Sequence, residues 1–305
     1  MNSIEVRNFK QEDMPLLGVF YQAVAKDKNV VFWWIGSEEN WENVFCAYED
    51  GKMIAKGQVE IVNTIPDGHP EASRHSIYLN LKTLPDRETD TDLLNKVYES
   101  LYQRALKLKE SLSPNFKTHL CVGNFGTEVH NNRFFLEEKG FRQSNTLYTM
   151  NRNLHLPITL ANLSQEELSW EFWKMESEEE ENQYLETECI IWPDAALGLN
   201  RLREYKNNPN WMALPVRKDG EIIACAMAWQ EEELGVIEDV FVKTEWRKQG
   251  IAKFLLTTAL TYLKDKDLEK AKLMVDTENE MALNLYKSVG FVVAEEEKRF
   301  YVELV

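Results

Sequence analysis

Apolar residues in the last third of the chain switch between two spacings. Residues 236–242 form a largely apolar run of strand length, and a polar turn follows. Beyond the turn, Ile251, Phe254, Leu255, Ala259 and Tyr262 recur at the three- and four-residue spacing of one helix face. A second apolar strand is expected at 273–275, then a short helix over 281–289, the pair Gly290-Phe291 and a final strand pair. The alternation of strand and helix predicts an α/β (α+β) fold.

An earlier stretch repeats this pattern. Residues 48–57 (YEDGKMIAKG) echo residues 217–226 (RKDGEIIACA), each an Asp-Gly turn between apolar strands. A short helix closes on Gly140-Phe141 in the first half and on Gly290-Phe291 in the second, 150 residues later. Between its two marker glycines the first copy spans 89 residues against 70 in the second. The 19 additional residues are expected at 66–73 and around 113–115 and 124–129. Two consecutive domains follow, 1–155 and 156–305, each a mixed central sheet flanked by helices. Residues 151–167 hold the predicted linker, with Pro157 as a break.

The turn at 247–252, Arg-Lys-Gln-Gly-Ile-Ala, carries the candidate chemistry. Gly250 lets the backbone fold tightly and approach a ligand. The unpaired N–H groups of a helix start, with the helix dipole behind them, suit a pyrophosphate. Arg247, Lys248 and Lys253 add positive charge. The matching stretch of the first copy, 83–92, has no glycine and four acids, Asp86, Glu88, Asp90 and Asp92, so that copy keeps the frame without the phosphate site.

The loop resembles the Arg/Gln-x-x-Gly-x-Gly/Ala signature of the GNAT superfamily of N-acetyltransferases, with Ala252 in the last place. From about residue 211 the element order also matches that family. The resemblance implies two tandem GNAT-like domains with a degenerate first copy, and acetyl-CoA as co-substrate held by Arg247, Lys248, Gln249, Gly250, Ile251, Ala252 and Lys253. It also implies that the strand before the loop parts from its neighbour. Backbone N–H groups of Val240, Phe241 and Val242 would then face the thioester as oxyanion donors. Tyr286 stands where many relatives place the acid for the departing sulfur; it also lies on an apolar helical stripe that suits a core tyrosine. Asn279 would bond the pantetheine arm or cap the following helix. Glu238 is the favoured base and Asp239 the second, with strand alternation expected to point them to opposite faces. One acid would otherwise pair with a nearby cation and the other be solvated.

Charge narrows the partners. Residues 156–305 carry 30 acidic against 17 basic side chains, a net −13, and the first 155 carry 21 against 18, a net −3. This balance argues against nucleic acid, which needs clustered cations, and suits a cationic amine as well as simple solubility. The acids and tryptophan of 175–210 (Glu176, Glu178, Glu179, Glu180, Glu181, Glu186, Glu188, Trp192, Asp194) are the expected acceptor-recognition segment or the wet face of a helix. Four scattered cysteines and five histidines without ligand spacing predict reduced thiols and no metal. With neither a secretory leader nor a membrane-length apolar run, the expected location is cytoplasmic. The leading functional expectation is acetyl transfer to a primary amine, small and cationic or amino-sugar-like, by direct attack on the thioester. The alternatives are an acetyl-CoA-binding sensor or interaction module, and a protein N-acetyltransferase.

Overall fold

The computed structural model describes residues 4–27, 29–65, 71–163, 167–193 and 196–305. Contacts divide the chain into two compact units, Met1–Thr146 with Glu296–Val305, and Leu147–Glu295. The expected division at 155/156 runs consecutively along the chain. The observed units instead return the last ten residues to the first unit and give Leu147–Asn153 to the second.

The first unit contains β1 (Glu5–Asn8), α1 (Met14–Val24), β2 (Val44–Glu49), β3 (Lys52–Asn63), β4 (Arg74–Thr83), α2 (Thr91–Lys109), β5 (Lys117–Phe125) and α3 (Val129–Arg133). Strand β6 (Arg142–Asn153) straddles the unit boundary. The second unit continues with β7 (Leu168–Trp170), α4 (Glu178–Ile191), α5 (Leu199–Lys206), β8 (Met212–Ala213), β9 (Val216–Lys218), β10 (Glu221–Glu231), β11 (Leu234–Val242), α6 (Ile251–Lys264), β12 (Lys270–Asp276) and α7 (Glu280–Ser288). The chain ends in β13 (Val292–Glu303). In the first unit the strand order is β1-β2-β3-β4-β5-β13, and in the second β6-β12-β11-β10-β9-β7. Each sheet mixes one parallel pair, β4 with β5 or β11 with β12, among antiparallel neighbours.

Local chemistry explains the repeat. Asp50 and Gly51 have φ of 50° and 74°, and Asp219 and Gly220 have 50° and 86°. Two successive left-handed residues are what a tight hairpin between twisted strands requires, and Asp-Gly tolerates them best. Helix α6 buries Ile251, Phe254, Leu255, Ala259, Leu260 and Leu263 against Ala224, Ala226, Ala228 and Ile237 on one sheet face. The other face packs Cys225, Met227, Trp229, Val236 and Phe241 with Tyr184 and Trp211.

Three expectations need correction. The final strand pair is one unbroken strand, β13, because residues 292–303 contain no glycine, proline or asparagine to turn the chain. The linker is shorter than 151–167, since Asn151, Arg152 and Asn153 pair with Lys272, Ala271 and Lys270. Part of the first copy's additional length lies in α2, 19 residues against 14 in α6, where amphipathic periodicity alone marks no insertion. Of the expected insertion 66–73, residues 66–70 lie outside the described residues.

Candidate active site

Strand β11 leaves its parallel neighbour early. It pairs with β12 only through Leu234, Gly235 and Val236, opposite Lys270, Ala271 and Lys272. Residues 237–242 then run on beside β10 alone, while β12 continues against β6 to Asp276. The ladder phase decides which backbone groups face the opening. Lys243 N–H bonds Ile223 C=O at 2.8 Å. Phe241, two residues earlier and opposite Cys225, therefore also turns its N–H toward β10, and Val242 turns away. Of the three expected donors, Phe241 is thus spent on the sheet and Val242 faces the parted side; Val240 sits in a bulge. Arg247 Nε donates to Val242 C=O at 3.0 Å, which ties the loop to this strand end.

The loop itself has the backbone a glycine motif demands. Lys248 and Gly250 are both left-handed, with φ of 62° and 83°. A Cβ on Gly250 would meet nothing within 4 Å, so conformation rather than crowding selects glycine there. Gly250 is the N-cap of α6 and supplies no side-chain oxygen to the first turn. Phe254 N–H already bonds Gly250 C=O at 3.0 Å. The earlier N–H groups, on Ile251, Ala252 and Lys253, have no acceptor from within the helix. Lys248, Gln249 and Lys253 are exposed beside them.

Helix α7 starts at Asn279, whose Oδ1 accepts the Ala282 N–H at 3.1 Å. The cap role is therefore filled by Oδ1, and the exposed side chain keeps its amide for a second partner. Tyr286 is 9% exposed and packs edge-on to Phe291, ring centroids 6.1 Å apart. Its hydroxyl has no hydrogen bond among the described residues. Burial, reinforced by the negative charge of Glu238, pushes the phenol up to about 12. It stays protonated through the physiological range, a hydrogen-bond donor rather than a base.

The carboxylates depart from strand alternation. Glu238 lies opposite Met227, and Phe241 opposite Cys225, so Asp239 and Val240 together oppose Ala226 alone, a bulge of one extra residue. Asp239 takes φ of 51° there. The bulge resets the alternation, so Glu238 and Asp239 both face the α4–α5 side. Glu238 follows its cross-strand partner Met227, and Asp239 Oδ2 accepts the Tyr184 hydroxyl at 2.9 Å. The expectation of opposite faces fails for this reason. Burial raises Asp239 to about 6, against the Tyr184 hydrogen bond and the charge of Arg201, which lower it. Arg201 Nε in turn donates to the Tyr205 hydroxyl at 3.4 Å, and the Tyr205 ring stacks on Trp229 at 4.5 Å.

Three acids of 175–210 serve helices α4 and α5, and Glu176, Glu179 and Glu186 are exposed. Glu180 closes a capping box with Ser177 and accepts Trp173 Nε1 at 2.8 Å. Glu181 binds Arg203 at 2.8 Å and also Lys206. Glu178 pairs with Arg203 at 3.3 Å. Trp192 packs edge-on against Phe241 at 5.6 Å. Asp194 lies outside the described residues. The exception is Glu188, 1% exposed, which burial and then nearby Asp239 push up to about 8 despite the Leu197 N–H it accepts. Sequence reasoning grouped Glu188 with its neighbours, since helical spacing alone does not separate one buried glutamate from a wet face.

The first unit treats the same features differently. Asp90 caps α2, its Oδ1 accepting Leu93 N–H at 3.0 Å, so a carboxylate occupies the helix start. Strand β4 parts from β5 after Leu79, but buried Lys82 spans the gap to Asn124 Oδ1 at 2.8 Å and to Glu128. Asn131 Nδ2 donates to Leu81 C=O at 2.6 Å. Leu136, at the position of Tyr286, is exposed in a widened turn after α3.

A parted parallel strand pair thus lies beside a glycine-opened helix start in the second unit. Residues 166–291 match the Acetyltransferase (GNAT) family. A mycothiol acetyltransferase of Acidimicrobium ferrooxidans is 27% identical over 241 residues, 74% of this chain and 74% of that protein. Other curated relatives are matched over only 28% to 66% of their own length. Among solved structures, a GCN5-related N-acetyltransferase from Sphaerobacter thermophilus superposes with a TM-score of 0.72 at 16% identity, covering 99% of this chain and 96% of that one. A tandem GNAT protein from the clavulanic acid biosynthesis pathway gives 0.67 at 10% identity, over 99% of each chain. Residues 166–291 thus carry a match to the GNAT acetyltransferases, and the chain as a whole has the fold of two-domain GNAT structures. No helix among the described residues is long and apolar enough to cross a membrane, and no group of three or more His, Cys, Asp or Glu there is placed to hold a metal.

Proposed function

We propose that the second unit binds acetyl-CoA on the 247–253 loop and transfers the acetyl group to a primary amine by direct attack, while the first unit is a degenerate copy. The observation that carries this reading is the uncapped start of α6 behind left-handed Lys248 and Gly250, set beside the free edge of β11. The open N–H groups and the loop cations would hold the pyrophosphate. Val242 N–H is the donor turned toward the thioester oxygen.

Asp239 is the group best matched to removing the amine proton, since a base near 6 is ionised at neutral pH yet still basic. Tyr184 orients it, and Glu238 on the same face adds negative charge that favours a cationic acceptor. Tyr286 donates a hydrogen bond to the leaving sulfur. Full proton transfer from a phenol near 12 is uphill toward a thiol of ordinary value about 8.5, so the donor stabilises the thiolate more than it neutralises it. A small amine, cationic or amino-sugar-like, is the acceptor class to screen first; the Acidimicrobium relative is named a mycothiol acetyltransferase.

The test is isothermal titration of acetyl-CoA into the full chain and into Gly250→Glu. One-site micromolar binding lost in the variant supports the reading, and an amine screen then follows. Binding without turnover on any small amine, peptide or protein N-terminus would favour a sensor instead. Two sites would overturn the degeneracy of the first unit, and no binding would overturn the transferase.

A further inference from the structure

The first unit contains a cleft of about 350 Å³ away from its parted strands, lined by Arg74, Lys117, His119, Arg142, Tyr301 and Glu303 among others. Its cations come from the first residues of three strands: Arg74 begins β4, Lys117 begins β5 and Arg142 begins β6. Arg74 and Lys117 are direct register partners on adjacent parallel strands. Like charges directly opposite one another destabilise a sheet unless a counter-charge lies between them. Only Glu303 offers one within the lining, and it pairs with Lys117 at 2.8 Å in an exposed, weak bridge. Three cations against one carboxylate leave two positive charges in a chain whose net charge is −16.

The site is also held in shape. Arg74 Nη1 donates to the carbonyls of Glu71, Ala72 and Ser73, which fixes the guanidinium while its other N–H groups have no partner among the described residues. Arg142 makes no ion pair among them. The His119 ring stacks on Tyr301 with centroids 4.5 Å apart, giving one wall a rigid aromatic face. Burial, Arg74 and Lys117 all push His119 below its ordinary value, against Glu303. The positive field is therefore not cancelled where that ring lies.

We propose that this cleft is a binding site for a small multivalent anion bearing phosphate or carboxylate groups. Its volume is at the lower end of small-molecule sites, enough for a compact metabolite. Arg74 and Arg142 supply planar forks for the anionic groups, and His119 reports their arrival, because an anion raises its proton affinity.

The experiment uses the full chain carrying Gly250→Glu, so that the acetyl-CoA loop does not bind the probes. Inorganic phosphate, glycerol 3-phosphate and citrate are titrated separately at fixed ionic strength, with the His119 ring followed by NMR and assigned by His119→Gln. Saturable binding that moves the His119 resonance toward its protonated position is expected. Arg142→Ser, an exposed change, should weaken it about tenfold or more, and Arg74→Ser likewise. A response to the phosphates alone or to citrate alone identifies the source of the anion. If no probe moves His119, or if both arginine variants bind the probes as tightly as the parent does, there is no such site.

Discussion

Tyr184 donates its phenolic proton to Oδ2 of Asp239 over 2.9 Å, joining helix α4 to the bulged, left-handed residue of β11. The bond holds the carboxylate on the α4–α5 side of the sheet, next to Glu238. It also opposes the burial that would otherwise raise Asp239 further.

The first prediction concerns pH. With Asp239 near 6, kcat/KM should fall about tenfold per pH unit below that value as the carboxylate takes up its proton. Tyr184→Phe removes a bond that favours the ionised form, so the acid limb should move to higher pH. Asp239→Asn should cost about 10²–10⁴ in rate. An acid limb that ignores both substitutions would assign the base elsewhere, with Glu238→Gln the next variant to measure.

Tyr286→Phe should lower kcat by about 10²-fold while leaving the acetyl-CoA dissociation constant unchanged, because the hydroxyl is needed only as charge develops on sulfur. No alkaline limb from this residue is expected below about pH 11, given its value near 12. A core tyrosine would behave differently: its unpaired hydroxyl could go with kcat and the melting temperature both holding.

Removing the C-terminal strand should injure the first unit. Phe300 and Leu304 are each 1% exposed within its core, and Glu297–Glu303 pair with His119–Phe125 of β5. A stop after Glu295 should cost several kcal/mol, from the two lost side chains alone about 3–5 or more. Hydrogen exchange would show lost protection along β4 and β5 with β10 and β11 retained. Protection lost first in β10 and β11 would contradict the division into units.

Lys56 carries the fourth prediction. It is fully buried, donates to Trp33 C=O and to Gln58 Oε1 at 2.7 Å, and burial lowers it from 10.5 to about 7. The unfolded chain binds more protons than the folded one between those values, so this residue's contribution to stability rises with pH across that window. The slope is at most about 1.4 kcal/mol per pH unit. Chemical denaturation at pH 7 to 9 should therefore show the wild type gaining stability relative to Lys56→Met. The comparison between the two removes the opposite trend from Cys46, Cys121 and Cys225, whose thiols burial raises to about 12. A constant difference over that range would mean that Lys56 keeps its proton inside the fold.

Much of the frame was legible before any coordinates. The Asp-Gly hairpins, the helix face of α6 and the Gly250 loop are local: a few neighbouring residues decide whether left-handed backbone, helical periodicity or an open helix start is available. The contrast between the copies was legible for the same reason, since the four acids without a glycine at 83–92 and Gly250 before α6 are each read within a short local stretch.

What stayed hidden depends on partners far apart in the chain. Tyr184 and Asp239 are 55 residues apart, and no periodicity relates them. Alternation predicted opposite faces for Glu238 and Asp239; the bulge against Ala226, a property of the pairing with β10, put them together. The acids of 175–210 look alike in sequence, yet Arg203 and Lys206 claim Glu181, a capping box claims Glu180, and burial singles out Glu188. The return of residues 296–305 to the first unit is likewise a matter of which sheet edge offers hydrogen bonds to β13. The sequence alone determined most of the elements, the repeat and the backbone of the Gly250 loop, because these follow from short-range conformational preference. Tertiary structure alone decided strand partners, the facing of the carboxylates and their proton affinities, because register and desolvation are set by whatever the fold brings alongside.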